Sequence, residues 1–178
     1  MSEPHIYCDA NPIIELAKYS RRTSDPIWEP DCQMMQRILH AANNKEISLF
    51  TSSISIAECV SAGDDWGQEV QEFLVNLLSS GRMFKLVQDS IFIAEQARDL
   101  RWKHNIRLQG MDAIHVASAI DANCTEFLTC DTDMSKPKVA DKIRVLASVG
   151  ISVITPSQTK LLTALYLSAD PNLLNFTN

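Results

Sequence analysis

Residues 5–19, His-Ile-Tyr-Cys-Asp-Ala-Asn-Pro-Ile-Ile-Glu-Leu-Ala-Lys-Tyr, join a short apolar run to a segment of helical composition, and the join falls at Asp9. The run from His5 to Cys8 has the length of a buried strand. Asn11 to Tyr19 reads as the helix after it, with Pro12 in the first turn, where the missing N–H of a proline costs nothing. The alternation recurs down the chain: strands are expected over 47–51, 84–87, 126–129 and 151–154, and helices over 31–42, 53–60, 65–78, 91–104 and 111–122. Gly63 and Gly81 read as helix stops. Short strands alternating with longer helices build a parallel sheet covered by helices, so the expected class is α/β. Residues 20–30 carry the Ser, Arg, Thr, Asp and Pro of a loop insertion. A basic, proline-containing loop is expected between Asp133 and Ile151, and the tail from about Ser157 reads as a helix and then a frayed end.

With 178 residues, 46% of them hydrophobic, the chain is long enough for one domain whose core needs no metal or disulfide staple. Sixteen basic and 22 acidic residues leave a formal charge of −6, which excludes a bulk electrostatic pull towards nucleic acid or anionic lipid. Any nucleic-acid role then needs a local site. The chain opens on Met-Ser-Glu-Pro-His rather than a basic and then apolar leader, and no run reaches the roughly 18 apolar residues of a membrane span, so a soluble, cytoplasmic protein is expected. Cysteines 8, 32, 59, 124 and 130 form no Cys-x-x-Cys pair and have no histidine at zinc-ligand spacing; they read as reduced, mostly buried thiols.

The acidic residues are informative by position. Asp9, and the pair Asp131 and Asp133, each follow the carboxyl end of an expected strand, the edge at which open parallel sheets bind ligands. Glu58 and Asp112 lie in early turns of helices that begin at the same edge. Singly, each has a structural reading. Ser55 and Glu58 have capping-box spacing, Asp112 suits a helix N-terminus, and Asp9, Asp131 and Asp133 suit turns and caps. Together they sit beside apolar segments where an unpaired charge is costly, with no lysine or arginine adjacent to Asp9, Glu58 or Asp112 in sequence, although a distant one could fold back onto them. Clustered carboxylates need a counter-charge, and hard oxygen donors without a cysteine motif point to Mg²⁺ or Mn²⁺.

Four segments, Tyr7-Cys8-Asp9-Ala10-Asn11, Ile56-Ala57-Glu58, Met111-Asp112-Ala113-Ile114-His115-Val116-Ala117-Ser118-Ala119 and Leu128-Thr129-Cys130-Asp131-Thr132-Asp133-Met134, resemble the successive motifs of PIN domains, in the right order. The resemblance implies a three-layer α/β/α sandwich with a central parallel sheet, residues 1–156 forming the nuclease domain and 157–178 a helical tail of the same domain. It also implies a metal-dependent ribonuclease site formed by Asp9, Glu58, Asp112 and Asp131, with Asp133 as a further metal ligand and Asn11 in support. Among PIN proteins the chain looks most like the VapC-type toxins, which implies an RNA substrate, a small antitoxin partner and a homodimer.

Phosphate contacts are sought in Arg98, Arg101, Lys103, His104 and Arg107, or in Lys136, Lys138 and Lys142. His115, three residues beyond Asp112, reads as a hydrogen-bonded core histidine ahead of a general base. Two rivals stay open. Phosphoryl transfer through an aspartyl intermediate would use Asp9, although Asn11 stands where such enzymes carry a second aspartate. A catalytically inactive PIN-like module that binds RNA or protein would keep the acidic pocket and cut nothing.

Overall fold

The computed structural model of the chain describes residues 3–20, 25–60, 68–104, 106, 108 and 110–168. Five strands, β1 (His5–Cys8), β2 (Ser48–Ser52), β3 (Phe84–Val87), β4 (Glu126–Leu128) and β5 (Ser152–Ile154), form one sheet in the order β3-β2-β1-β4-β5, every pair parallel. Among the described residues eight α-helices accompany them: α1 (Ala10–Ser20), α2 (Glu29–Asn43), α3 (Ile54–Val60), α4 (Gln68–Ser79), α5 (Ile91–His104), α6 (Gly110–Asp121), α7 (Pro137–Ser148) and, after β5, α8 (Ala164–Ser168).

The strand order assigns the helices to layers. The chain walks from β1 to β3 in one direction and then restarts on the other side of β1, and right-handed crossovers place the helices of the two walks on opposite faces. Two cores result. On one face Leu16, Ile38, Cys59, Leu74 and Tyr166 from α1, α2, α3, α4 and α8 pack on Ile6, Cys8 and Leu128. On the other, Leu100, Val116 and Leu146 from α5, α6 and α7 pack on Tyr7 and Phe127. The two-residue alternation within β1 and β4 thus serves both sides of a three-layer α/β/α sandwich. No helix among the described residues is long and apolar enough to cross a membrane.

The expected strands and helices are found with ends shifted by a few residues, with residues 65–67 of the expected 65–78 helix outside the described residues, except between Asp133 and Ile151, where the loop reading is wrong: twelve residues there form α7. Pro137 stands in its first turn, where proline is pre-organised for helix. Its end is a Schellman turn, in which Gly150 at φ +82° lets its own amide reach Ala147 O and that of Ile151 reach Leu146 O. An added Cβ at Gly150 would meet nothing within 4 Å, so the cost of Gly150→Ala is conformational. It should lower stability by about 1 kcal/mol, read from the urea midpoint at unchanged m-value. The buried stripe of α7 is Val139, Lys142, Val145 and Leu146. A lysine inside an apolar stripe hides the helical period from a reading by hydrophobicity.

The segment after Pro156 is tied down by polar contacts. Glu126 accepts hydrogen bonds from the Thr159 hydroxyl and the Lys160 amide, Asp31 accepts one from the Ser157 amide, and Asn44 donates to the Tyr166 hydroxyl. Within the expected insertion, Pro26–Trp28 form a 3₁₀ turn capped by Asp25, while residues 21–24 and Gly63 lie outside the described residues, as does the tail beyond 168.

Candidate functional site

The sheet reverses its direction of growth at β1, and a crevice opens there at the carboxyl ends of β1 and β4. A cleft of about 570 Å³ lies at this position, and Asp9, Asn11, Glu58, Asp112 and Asp131 all line it, together with His115, Lys138 and Lys142. Asp9 follows the last residue of β1, and its amide bonds to Leu128 O of the neighbouring strand. Glu58 comes from α3 after β2, Asp112 from the first turn of α6, and Asp131 from the loop after β4.

Asp9 is 5% exposed and fully engaged. Its Oδ1 accepts the Ala10 amide at 2.9 Å and faces His115 Nε2 at 3.6 Å; its Oδ2 accepts the Thr129 hydroxyl at 2.9 Å and meets Lys142 Nζ at 3.4 Å. Burial alone would raise its pKa, but the charges of His115 and then Lys142, with the two hydrogen bonds, hold the carboxyl below the usual range. Asp9 is therefore a carboxylate at neutral pH.

Ser55 lies inside α3, which begins at Ile54, so it is not the cap of this helix. Glu58 Oε2 instead pairs with His115 Nε2 at 2.7 Å, while Ser55 bonds to Thr51. The His115 ring is 1% exposed, and its Nδ1 lies 2.8 Å from the Tyr7 hydroxyl. A carboxylate only accepts, so Nε2 carries a proton and donates to Glu58, and Nδ1 of the neutral ring accepts from Tyr7. Burial works against the charged ring, but the Glu58 hydrogen bond and the charges of Asp9 and Glu58 outweigh it and raise the pKa. The core-histidine reading captures the burial of His115 and misses that its partner belongs to the cleft.

The sign of the pH dependence follows for metal-free protein. His115, raised above its ordinary 6.5, contributes stability that is complete below 6.5 and lost as pH climbs through the folded value. Asp9, lowered from its ordinary 3.8, contributes above 3.8 and loses that contribution as pH falls through its folded value. In chelator the melting temperature should decline as pH rises from 6.5, and His115→Gln should flatten the decline. A wild-type curve that climbs over the same range would contradict the Glu58–His115 pairing.

Lys142 is a distant cation folded back onto the carboxylates, so relief of their repulsion does not fall to a divalent ion alone. It is 2% exposed, not a phosphate contact at the mouth, and its ammonium lies 3.0 Å from Asp112 Oδ1 as well as near Asp9. Burial disfavours its charge, yet Asp9 and Asp112 raise its pKa. Lys138 Nζ stands 3.7 Å from Asp112 Oδ2, and Lys136 Nζ 3.1 Å from Asp131 Oδ1. Three lysines from α7 and the residue before it thus face the aspartates, all distant from Asp9, Glu58 and Asp112 in sequence.

Other expected positions fall elsewhere. Asp133 is outside the cleft lining, and its Oδ1 accepts the Ser135 amide and hydroxyl, an Asx-type turn that lowers its pKa. Lys103 is held on Asp99 at 2.6 Å and lines a different cleft, Arg101 is exposed and lines neither, and Arg107 is outside the described residues. Thr129 is a site residue whose signal lay in its own motif: it donates to Asp9 and accepts the Asp131 amide, coupling two carboxylates.

Among the described residues, ligand atoms of Asp9, Glu58 and His115 lie within 4.8 Å of one another. The two carboxylates are hard oxygen donors of the kind a divalent ion takes, whereas His115 Nε2, which donates its proton to Glu58, could join them only as the other tautomer. The carboxylates fit a divalent metal of the kind PIN nucleases typically use.

The sequence model of the PIN domain matches residues 6–140, most of the chain and all four acidic segments. The chain belongs to the PIN domain family. PIN domains are generally nucleases, and this one carries the α/β/α fold with the acidic cleft at the sheet's switch point. No curated protein and no solved structure matches the chain.

Proposed function

We propose that this PIN domain is a metal-dependent endoribonuclease hydrolysing RNA phosphodiester bonds, with Mg²⁺ or Mn²⁺ held by Asp9, Glu58 and Asp112 and with Asp131 as an outer contact. The observation that carries the reading is the convergence of these four carboxylates, remote in sequence, on one cleft at the sheet's switch point. A bound divalent ion would supply a nucleophilic water at neutral pH and neutralise charge on the phosphate. The protein's share is positioning. The Ala10 amide and Thr129 hydroxyl fix Asp9 in one orientation, and His115 fixes Glu58 where it can orient a water or accept its proton. Asn11 has a carboxamide at the cleft that can donate to a phosphate oxygen. Lys136 and Lys138, both about half exposed, bring positive charge to the rim.

The choice of RNA, and a toxin role in the cytoplasm with a small antitoxin and a homodimeric state, are supported by the likeness of the motif set to VapC-type toxins. One observation favours a second reading, an inactive module that binds RNA or protein: lysines and a histidine already partner the carboxylates. Purified protein incubated with total RNA separates the two. Cleavage in Mn²⁺ or Mg²⁺ that stops in chelator is the result for the nuclease; RNA retention without cleavage in either metal is the result for the module.

A further inference from the structure

The two oxygens of Asp9 face different chemistry. On the Oδ1 side lie Glu58 and His115, whose ligand atoms converge with those of Asp9. On the Oδ2 side a cation is already built in: Lys142 Nζ lies between Asp9 Oδ2 at 3.4 Å and Asp112 Oδ1 at 3.0 Å. The lysine is held there from behind. Its ammonium lies 5.6 Å from the centroid of the buried Phe127 ring, and its helix packs through Val139, Val145 and Leu146. An ammonium this deeply covered has given up most of its water, so leaving the carboxylates without replacement would strand it as a buried, unpaired charge. An incoming divalent ion therefore meets an anchored ammonium on one side of Asp9 and, on the other, the Glu58 carboxylate paired with the His115 ring.

We propose that Lys142 is the permanent second cation of this site: it holds the place between Asp9 and Asp112 and limits the cleft to one divalent ion, which Asp9 and Glu58 would hold. The inference rests on the metal-dependent nuclease reading and narrows it. Asp112, named above among the residues that hold the ion, then instead positions Lys142 through Oδ1 and meets Lys138 through Oδ2. A tethered ammonium brings one charge where an ion brings two, and a chelator cannot remove it.

The test counts bound Mn²⁺ on the full chain, by calorimetric titration and by the paramagnetic resonance of free Mn²⁺. The wild type should bind one ion per chain, Lys142→Arg one, and Lys142→Met two. A wild-type count of two, or a count of one for a folded Lys142→Met, overturns the proposal and leaves the nuclease reading standing. A wild-type count of zero overturns both. A measurement that needs no variant follows the Lys142 ammonium resonance of the wild type, which should persist on saturation with Mg²⁺. Its loss on saturation means that the ion displaces the lysine, and overturns the proposal.

Discussion

Asp9→Asn is expected to lower kcat/KM for metal-dependent RNA cleavage by more than about 100-fold, beyond the roughly 10–100-fold that a residue merely supporting a metal ligand costs. The reason is geometric. Asp9 is the acidic residue that touches every other part of the site: His115 and through it Glu58, Lys142 and through it Asp112, and Thr129, which also accepts the Asp131 amide. An amide at this position keeps a carbonyl for Ala10 or Thr129 but removes the charge that binds a cation and turns a donor towards Lys142 or His115. Mn²⁺ binding should weaken with activity, which separates loss of the metal from loss of the fold. Cleavage at the wild-type rate by a folded Asp9→Asn protein would remove the mechanism.

Lys142→Met should destabilise metal-free protein by about 3–5 kcal/mol, the range for removing one partner of a buried ion pair. Methionine fills the volume, so the loss is electrostatic: Asp9 and Asp112 are left facing each other without the intervening cation. The same logic gives two signatures that a cavity would not. Asp112→Asn in the Lys142→Met background should recover part of the loss, because it removes a charge that has lost its partner. Added Mn²⁺ should raise the melting temperature of Lys142→Met more than that of the wild type, since each site that binds only the folded state adds stability as the logarithm of one plus the ratio of ligand concentration to Kd, and the variant gains a second such site. Urea titrations in chelator and in Mn²⁺ measure both. Equal stability of wild type and variant in chelator would show that the lysine is no counter-ion.

The frame of the molecule was legible because its signals are local. His5–Cys8 and Phe84–Val87 are short apolar runs closed by turn residues, and Ile91–His104 follows a strand with no breaker inside it. The four cleft carboxylates were legible for the same reason, each following a strand or opening a helix at one edge. What escaped is what three-dimensional proximity decides. Lys142 is 133 positions from Asp9, and its place in the stripe of α7 made the segment look polar, so the helix and its lysine were lost together. Pro137 and Gly150 had marked the two ends of that helix. His115 was visible as buried, but nothing in its spacing names Glu58, 57 positions away, as its partner.

The central place of β1 has a consequence for durability. Asp9 hangs from the strand flanked on both sides, its amide clasped by β4, while β3 and β5 form the margins of the sheet. Margins open first under thermal fluctuation, and amide exchange with solvent is slowest where opening requires the whole sheet to part. The residue on which the chemistry turns is thus anchored where breathing motions arrive last, and partial unfolding from either flank would leave its backbone in register until the domain gives way.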